Sequence, residues 1–256
     1  MRVTVLVENT CNTNSLEAQH GLSLFIEHSG KTILFDMGQD DLFLRNAQSL
    51  GRDLFSVDLA IISHGHYDHG GGLEAFFKAN SKAPVHISST AFKSYHNKNY
   101  KYIGLDQSLA QNPRLRIVNE PTKLWEGATI YPAPCESALC STNLYAKKND
   151  QFVLDTFSHE QYLILEENNK RILLSGCSHR GITTILDEFK PEIFIGGMHL
   201  SHWDLGDDLK TLANTLKDSG IKLYTCHCTG VDQTKYMADA GVDVKYISCG
   251  TSILVE

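Results

Sequence analysis

Four potential metal ligands lie within six residues of one another, in the stretch ISHGHYDHGGG at positions 62–72. His64 and His66 are two residues apart, so they can point the same way from an extended turn and bind one ion. Asp68 and His69 fall on the following turn, where they can bind a second ion close by. Imidazole and carboxylate ligands suit zinc and other first-row metal ions. The glycines let the backbone curl tightly around these side chains, so the spacing predicts a metal site.

The elements that must position these ligands follow from the periodicity of apolar residues. The wholly apolar segment Leu59–Ile62 predicts a buried strand that ends where the ligands begin, as expected for a ligand site in an α/β protein. Other strands are predicted at Val3–Val7, Leu22–Glu27, Thr32–Phe35, Val85–Ser88, Arg171–Leu174, Glu192–Ile195 and Lys222–Thr225, and helices at Asp40–Leu50, Gly72–Ala79, Ile182–Phe189, Asp207–Lys217 and Val231–Ala240. No Pro-, Gly- or Ser-rich linker interrupts this pattern. We expect one α/β domain over residues 1–256, with two packed sheets and helices on the outer faces.

Composition limits the classes of function. The 256 residues are 42% hydrophobic and 21% charged, with a net charge of −7, which is ordinary for a soluble globular protein. The negative balance argues against a nucleic-acid or anionic-membrane partner, and no segment approaches the length of a membrane span. The first residues, MRVTVLVENT, predict a strand rather than a signal peptide. Seven cysteines, an odd number, favour reduced thiols in the cytoplasm.

The motif His64-x-His66-x-Asp68-His69 stands among other characteristic stretches. HGLSLFIEHSGKTILFDMGQ precedes it, and SGCSHRGI, IGGMHL and YTCHCTG follow it. In this order the stretches resemble the metallo-β-lactamase superfamily, and within it the branch of dihydropterin–ribofuranosylaminobenzene phosphate synthase-like metal-dependent hydrolases. The resemblance covers nearly the whole chain. It implies the αββα sandwich of that superfamily and a dinuclear metal site, and it says much less about the substrate.

The resemblance also implies which residues bind the ions. The implied ligands are His64, His66 and His179 for one ion and Asp68, His69 and His227 for the other. His179 ends the predicted strand RILLSG, and His227 ends the predicted strand KLYTC. Two divalent ions are expected, with zinc as the first choice and manganese or iron as alternatives. His159 is a rival for the role of His179, because other branches take a ligand from just before this pair of strands.

One position departs from the superfamily pattern. Many members place a bridging aspartate after a strand such as RILLSG, where this chain has Cys177. A thiolate can bind a metal, but we expect Cys177 to pack as a small buried hydrophobe, which leaves only a solvent molecule to bridge the ions. Cys226 and Cys228 flank His227, yet there is no partner Cys-x-x-Cys pair. Their spacing on a strand therefore does not predict a structural zinc site.

Asp36 and His199 stand at the ends of other predicted strands. A metal-bound histidine usually donates its second N–H to an oxygen, and Asp36 is the expected acceptor, with a turn-forming role as the alternative. His199 is expected to contact substrate or stabilise developing charge, with a surface position as the alternative. A surface position is predicted for five further histidines, His20, His28, His86, His96 and His202.

These features together predict a metal-dependent hydrolase. The two ions lower the pKa of a bridging water, Asp68 orients this nucleophile, and His199 assists, so no serine or cysteine triad is needed. Two other functions stay open. One is a dihydropterin phosphate synthase-like transferase or lyase activity at the same metal centre, and the other is non-catalytic metal binding or ligand sensing.

The polar and aromatic stretch AFKSYHNKNYKYIGLDQ indicates the substrate. Lys93, Lys98 and Lys101 lie there beside four aromatic residues, a combination that suits an anionic, ring-bearing small molecule. A phosphoester is therefore the expected substrate, and residues 93–112 are expected to form a gate that selects it. The alternative is a solvated surface loop.

Overall fold

The computed structural model describes residues 1–133 and 143–255. In chain order its strands are β1 (Arg2–Val7), β2 (Ser23–His28), β3 (Lys31–Phe35), β4 (Leu59–Ile61), β5 (Val85–Ser88), β6 (Tyr95–His96), β7 (Leu115–Val118), β8 (Thr122–Trp125), β9 (Ala128–Pro132), β10 (Tyr145–Lys148), β11 (Gln151–Leu154), β12 (Gln161–Glu167), β13 (Lys170–Ser175), β14 (Ile193–Gly196), β15 (Lys222–Thr225), β16 (Val244–Tyr246) and β17 (Ser252–Leu254). Its α-helices are α1 (Leu42–Ser49), α2 (Tyr67–Gly70), α3 (Leu73–Ala79), α4 (Ile182–Phe189), α5 (Asp207–Ser219) and α6 (Val231–Asp239).

The first large sheet contains the strand that leads into the ligand motif. Its order is β17-β1-β2-β3-β4-β5-β7, and β3, β4, β5 and β7 run parallel. The predicted hairpin between β2 and β3 is confirmed. Gly30 takes a left-handed φ of 72° in its tight turn, a conformation that glycine adopts without steric cost. β4 is buried along its whole length, as its unbroken apolar sequence predicts.

The second large sheet has the order β16-β15-β14-β13-β12-β9-β8. Its strands β13, β14, β15 and β16 are parallel, and α4, α5 and α6 connect them in turn. This alternation of strand and helix is the one predicted for the second half of the chain. Parallel strands need such crossover helices, which cover the outer face of the sheet.

The two large sheets pack face to face. One buried apolar cluster, which includes Ile33, Leu163 and Ile195, lies between them. On the outer face of the first sheet, α1 and α3 contribute Phe43 and Phe76 to a second cluster, and α4, α5 and α6 build a third cluster on the other sheet. Burial of each large apolar side chain contributes about 1.5–3 kcal/mol. The predicted layering of two sheets with outer helices is therefore confirmed.

A small sheet of β11, β10 and β6 lies outside these layers and is not predicted from apolar periodicity. β10 and β11 form a hairpin whose turn residues, Asn149 and Asp150, both have positive φ, as a type I′ turn requires. β10 also pairs with β6 through Tyr145 and His96. Part of the predicted substrate gate is thus a strand in this sheet.

The predicted site residues lie at the carboxyl ends of strands from both large sheets. They are Asp36 after β3, His64 after β4, His179 after β13, His199 after β14 and His227 after β15. The carboxyl ends of parallel strands are where α/β sheets place their ligands. The sandwich therefore gathers residues that are far apart in sequence at one edge.

Two other expectations concern the chain as a whole. Over residues 1–133 and 143–255, no helix has both the length and the apolar character needed to cross a membrane. Within the same ranges the cysteines are free thiols, namely Cys11, Cys177, Cys226, Cys228 and Cys249. Cys135 and Cys140 lie outside the described residues.

Candidate metal centre

His64, His66 and His179 form a compact buried group. Nε2 of His64 lies 3.0 Å from Nδ1 of His66, and one ring nitrogen from each of the three residues falls within 4.8 Å of the others. None of the three residues is more than 4% exposed. Ligand atoms that bind one tetrahedral zinc ion at about 2.0–2.2 Å lie about 3.3–3.6 Å apart. Rings at these distances can enclose one ion.

Residues from neighbouring segments hold this first group in place. Ser63 Oγ lies 2.9 Å from Nδ1 of His64, which leaves Nε2 of that ring facing the group. The Glu160 carboxylate accepts the backbone N–H of His179 at 2.7 Å, and the Phe157 ring stacks on the His179 ring with centroids 4.4 Å apart. Glu160 and Phe157 are not predicted from the sequence, because neither stands in a recognisable motif.

Asp68, His69 and His227 form a second group. Oδ2 of Asp68 lies 3.7 Å from Nε2 of His69 and 3.3 Å from Nε2 of His227. Asp36 Oδ2 lies 2.7 Å from Nδ1 of His69, which confirms the predicted contact between Asp36 and a candidate ligand. Asn9 Oδ1 makes the matching contact with Nδ1 of His227 at 2.8 Å. In both rings, therefore, the Nδ1 contact leaves Nε2 facing Asp68.

Cys177 stands where the two groups meet. The rings of His64 and His69 are 4.1 Å apart, and Sγ of Cys177 lies 3.1 Å from Nε2 of His69. Together these three residues offer ligand atoms within 4.8 Å of one another. Cys177 is 3% exposed, and burial raises the pKa of its thiol well above the ordinary value. It is buried as expected, but its sulfur faces a candidate ligand and not the apolar clusters of the described residues.

Cys226 and Cys228 differ in what they face. Cys226 belongs to the apolar cluster between the sheets, whereas Sγ of Cys228 lies within 4.8 Å of ligand atoms of Cys177 and His227. β15 ends before Cys226, and a short 3-10 turn begins at His227. Strand alternation therefore does not describe this pair, and Cys228 joins the residues around the centre.

His159 lies beside the first group, but both of its ring nitrogens are engaged elsewhere. Nδ1 accepts the backbone N–H of Gly65 at 2.8 Å, and Nε2 lies 2.9 Å from Oδ2 of Asp155. The geometry therefore favours His179 over His159 as a ligand. His159 instead holds the backbone between His64 and His66.

His199 borders the first group at the end of β14. Its ring centroid lies 4.3 Å from that of His179, and it is partly exposed. Its Nδ1 is buried and has no hydrogen-bond partner within the described ranges. This position agrees with the predicted contact to a substrate better than with an ordinary surface histidine.

The predicted surface position is wrong for two other histidines, His28 and His96, and correct for the exposed His20. His28 is 2% exposed, because it packs against Trp125 and contacts the Glu166 carbonyl at 3.0 Å. His96 is 8% exposed, since it lies on β6 within the small sheet. His20 is exposed as predicted, but it also reaches the second group, where its Nε2 lies 3.2 Å from Oδ2 of Asp68.

Burial and nearby charge set the protonation of the two groups. Burial lowers the pKa of His66 to about 3 and that of His64 well below its ordinary value, so both rings are neutral at pH 7. Burial also opposes the charge of His69, but the Asp36 and Asp68 carboxylates raise the pKa of this ring to about 9. Burial alone raises the pKa of Asp68, yet the surrounding histidines, His69 first, hold it well below its usual range. The second group thus contains an ionised carboxylate.

These shifts predict an acid response of the metal-free protein. Burial lowers the pKa of His64, His66 and His179, so below about pH 6.5 the unfolded chain binds more protons than the folded chain. From about pH 6.5 to 5.5, we expect the free energy of unfolding to fall by about 1 kcal/mol for each such histidine, because half of the unfolded chains already carry this proton at pH 6.5. His69 has the opposite sign, because its stabilisation is lost as the pH rises through about 9. Urea unfolding of chelator-treated protein measures the slope, which should be shallower in His66→Asn. A flat profile contradicts the prediction.

Four residues at the strand ends hold their backbones in the left-handed region. Asp36, Ser178, His199 and His227 have φ values from 52° to 59°. Each such conformation costs on the order of 1 kcal/mol and persists only where the surroundings enforce it. At Asp36 the enforcing contacts include the Ser63 N–H, which donates to Oδ1 at 2.7 Å. Backbone strain of this kind clusters at functional sites, and here it coincides with the convergent histidines.

Comparison with known proteins identifies the family. The Metallo-beta-lactamase superfamily profile matches residues 17–136. The uncharacterized protein MJ0448 of Methanocaldococcus jannaschii is 32% identical over 241 residues, which cover 89% of this chain and 90% of that protein. The chain belongs to the metallo-β-lactamase superfamily.

Two further relatives refine the comparison. The 7,8-dihydropterin-6-methyl-4-(beta-D-ribofuranosyl)-aminobenzene-5'-phosphate synthase of Methanocaldococcus jannaschii is 28% identical over 283 aligned positions, covering 99% of this chain and 96% of the synthase. The crystal structure of Tm1679, a metal-dependent hydrolase of the beta-lactamase superfamily, is 28% identical with a TM-score of 0.85. It covers 100% of this chain and 99% of its own. The predicted fold and the resemblance to the synthase-like branch are both confirmed.

Proposed function

We propose that the protein is a metal-dependent hydrolase with a site for two divalent ions, and that it acts on a phosphoester or another small anionic ester. One observation carries the proposal. Two ligand groups, each buried and each held by hydrogen bonds from other segments, lie side by side at the ends of the strands. The likeness to Tm1679, a metal-dependent hydrolase, supports the class of reaction.

The residues present fit two such ions. The proposed ligands are His64, His66 and His179 for the first ion and Asp68, His69 and His227 for the second. Nε2 of His227 has no hydrogen-bond partner in the part of the chain that the structure describes, as a nitrogen reserved for a metal would. Ions bound here would act as Lewis acids that activate water and polarise the scissile bond. Zinc is the proposed metal, with manganese and iron as alternatives.

Asp68 and His199 are the proposed catalytic residues. Because its pKa is held well below the usual range, Asp68 is ionised at neutral pH and can accept a hydrogen bond from the attacking water. Among the described residues, Nδ1 of His199 has no hydrogen-bond partner. Because His199 lies beside the first group, it can contact a substrate oxygen as charge develops there. For these roles both side chains must be reachable from solvent. The Asp68 side chain is 12% exposed, and His199 is partly exposed.

The position of the predicted gate supports an anionic substrate. Tyr95 of β6 packs with its ring centroid 5.9 Å from that of His66, which brings the gate next to the first group. Lys98 and Lys101 are exposed in the turn that follows β6. Exposed positive charge on the segment that contacts the first group can attract anions in a chain that is otherwise net negative.

Aromatic residues in and beside the small sheet support a ring-bearing substrate. Tyr100 and Phe152 lie with ring centroids 4.5 Å apart, and they are 52% and 40% exposed. Exposed aromatic side chains provide stacking area for a planar ligand. A phosphoester attached to a ring system combines both preferences.

A second candidate function rests on the similarity to the phosphate synthase. A transferase or lyase would use the same metal centre and the same anionic substrate class, but it would not transfer the substrate group to water. Ligand sensing without catalysis is the third candidate, and it predicts tight binding with no turnover. Product analysis therefore separates the three.

The test is a substrate screen with the bound metal quantified. Protein purified without chelator should contain up to two transition-metal ions per chain, and it should hydrolyse members of a panel of phosphodiesters, phosphomonoesters, lactones, thioesters and nucleotides. Incorporation of ¹⁸O from labelled water into the product identifies hydrolysis. Less than about a tenth of an equivalent of metal, or turnover without ¹⁸O incorporation, would refute the proposed hydrolase.

Neutralising the gate should weaken the binding of anionic substrates selectively. For the double variant Lys98→Gln/Lys101→Gln, we expect KM for phosphate-bearing substrates to rise about tenfold, since two attractive charges of roughly 0.7 kcal/mol each are lost. Turnover of small neutral esters should hardly change, because they need only the metal centre. Steady-state kinetics at low and high salt measure the effect, which should shrink as salt screens the charges.

The matched control carries the same charge change elsewhere. Lys210 and Lys235 are exposed on α5 and α6, and Lys210→Gln/Lys235→Gln should leave KM unchanged. Equal losses on charged and neutral substrates in the gate variant would show that the loop supports the fold and does not select substrates.

A further inference from the structure

His20 lies at the second ligand group, although it belongs to neither predicted ligand set. Its Nε2 is 3.2 Å from Oδ2 of Asp68, and its ring centroid is 4.8 Å from that of His227. His20, Asp68 and His227 offer ligand atoms within 4.8 Å of one another. The His20 side chain is 55% exposed, whereas those of Asp68 and His227 are 12% and 1% exposed. His20 therefore approaches the group from the solvent side.

Three imidazole nitrogens lie within 4 Å of one oxygen of Asp68. Its Oδ2 lies 3.2 Å from Nε2 of His20, 3.3 Å from Nε2 of His227 and 3.7 Å from Nε2 of His69. Ligand atoms at the corners of a tetrahedron around zinc, with bonds of about 2.0–2.2 Å, are about 3.3–3.6 Å apart. The separations of Asp68 from His20 and His227 are close to this range, and that from His69 is slightly longer.

The loop that carries His20 is fixed against the group. Leu22 donates its backbone N–H to the carbonyl of Asp68 at 3.1 Å, and Gln39 donates from Nε2 to the carbonyl of His20 at 2.5 Å. Between them, a side chain at Gly21 would place its Cβ 2.5 Å from the Asp68 carbonyl oxygen. Only glycine permits this close approach. The backbone contacts of His20 and Leu22 therefore hold this loop beside Asp68.

Asn9 links this loop to His227. Its Oδ1 accepts the N–H of Gly21 at 3.1 Å and lies 2.8 Å from Nδ1 of His227. One amide oxygen therefore positions both the backbone next to His20 and the ring of His227. A loop that only connected two strands would not need this shared contact.

We propose that His20 is a fourth protein ligand of the second ion, together with Asp68, His69 and His227. This inference rests on the proposed two-metal function and adds a ligand to it. The chain has Cys177 where a bridging carboxylate is expected, and His20 would supply a ligand from the solvent-facing side. As the most exposed ligand of the set, it would be the group that meets an incoming substrate first.

The test compares metal binding in His20→Ala, His20→Gln and the control His86→Ala. His86 lies on β5, outside both ligand groups. Each protein is stripped of metal and titrated with Co²⁺, which reports coordination through its visible absorption, while zinc competition gives both dissociation constants. We expect the second ion to bind about 100-fold more weakly in His20→Ala, at the upper end of effects seen for groups that support a metal. The first constant should not change, and added imidazole should restore the tetrahedral cobalt spectrum.

The outcomes separate this inference from the proposed function. Glutamine at position 20 can still donate a hydrogen bond to Asp68, so wild-type affinity in His20→Gln would show that His20 only orients Asp68. A second dissociation constant within twofold of wild type in His20→Ala would likewise overturn the inference, while leaving the two-metal site intact. A wild-type protein that binds no ion at all would refute the proposed function itself. Thermal melting of the metal-free variants confirms that each is folded.

Discussion

Alanine at His64 or at His179 is expected to remove one bound ion and to reduce hydrolysis on the order of a thousandfold or more. Both rings belong to the first group, whose three ligand atoms lie within 4.8 Å of one another. Catalytic zinc is typically held by three protein ligands, so the loss of one leaves too few to retain the ion. Elemental analysis after dialysis, together with kcat/KM on the best substrate of the screen, measures the effect.

His159→Gln is the matched control for this result. His159 is buried next to the same rings, but its nitrogens contact Gly65 and Asp155. Glutamine keeps a donor and an acceptor, so we expect full metal content with a stability loss of about 1–3 kcal/mol. The reverse pattern, with metal retained in His179→Ala and lost in His159→Gln, would transfer the ligand role to His159.

Removing the sulfur of Cys177 should weaken the second ion. Sγ lies 3.1 Å from Nε2 of His69 at the point where the groups meet, so a sulfur here is placed either to bind an ion or to orient His69. For Cys177→Ala we expect the dissociation constant of the second ion to increase 10- to 100-fold, which is the range for groups that support a metal. In cobalt-substituted wild-type protein, thiolate binding would appear as a near-ultraviolet charge-transfer band that the variant lacks.

Cys226 provides the comparison, because it is an equally buried cysteine inside the apolar cluster between the sheets. Cys226→Ala should lower stability by about 1 kcal/mol through its cavity and leave both dissociation constants unchanged. If Cys177→Ala behaves in the same way, Cys177 only packs as a small buried hydrophobe and does not support an ion. Cys177→Asp is the complementary variant. It places a carboxylate at this position and should lower the dissociation constant of the second ion.

Much of the fold is predictable because apolar periodicity records which face of an element is buried. The helix predicted at Ile182–Phe189 has those bounds in the structure, and so does the strand at Val85–Ser88. The small sheet cannot be predicted in this way. Its strand β11 is exposed along its whole length, so its sequence shows no alternation between a buried and an exposed face. The only local signal for its hairpin is the pair Asn149 and Asp150, which tolerate positive φ.

The candidate ligands are predictable for a similar reason, because four of them lie within six residues and the others end apolar strands. The groups that orient them are not. The Glu8 carboxylate accepts the backbone N–H of His227 across 219 residues of sequence, and Oδ1 of Asn9 contacts Nδ1 of the His227 ring across 218. No local pattern records such a pairing. The one sequence feature that indicates this role is the polar pair Glu8 and Asn9 directly after β1, which corresponds to Asp36 directly after β3.

The first strand of the protein depends on the last for its completion. β1 pairs with β17 through Arg2 and Leu254, and Glu8 at its end holds His227. A ribosome adds roughly 5–20 residues per second. Synthesis of β17 and His227 therefore follows that of β1 by on the order of ten seconds or longer. During that time one edge of the first sheet is unpaired and open to association with other chains. A nascent chain halted before β15 would lack His227, and it would offer chaperones an open sheet edge and no complete second metal group.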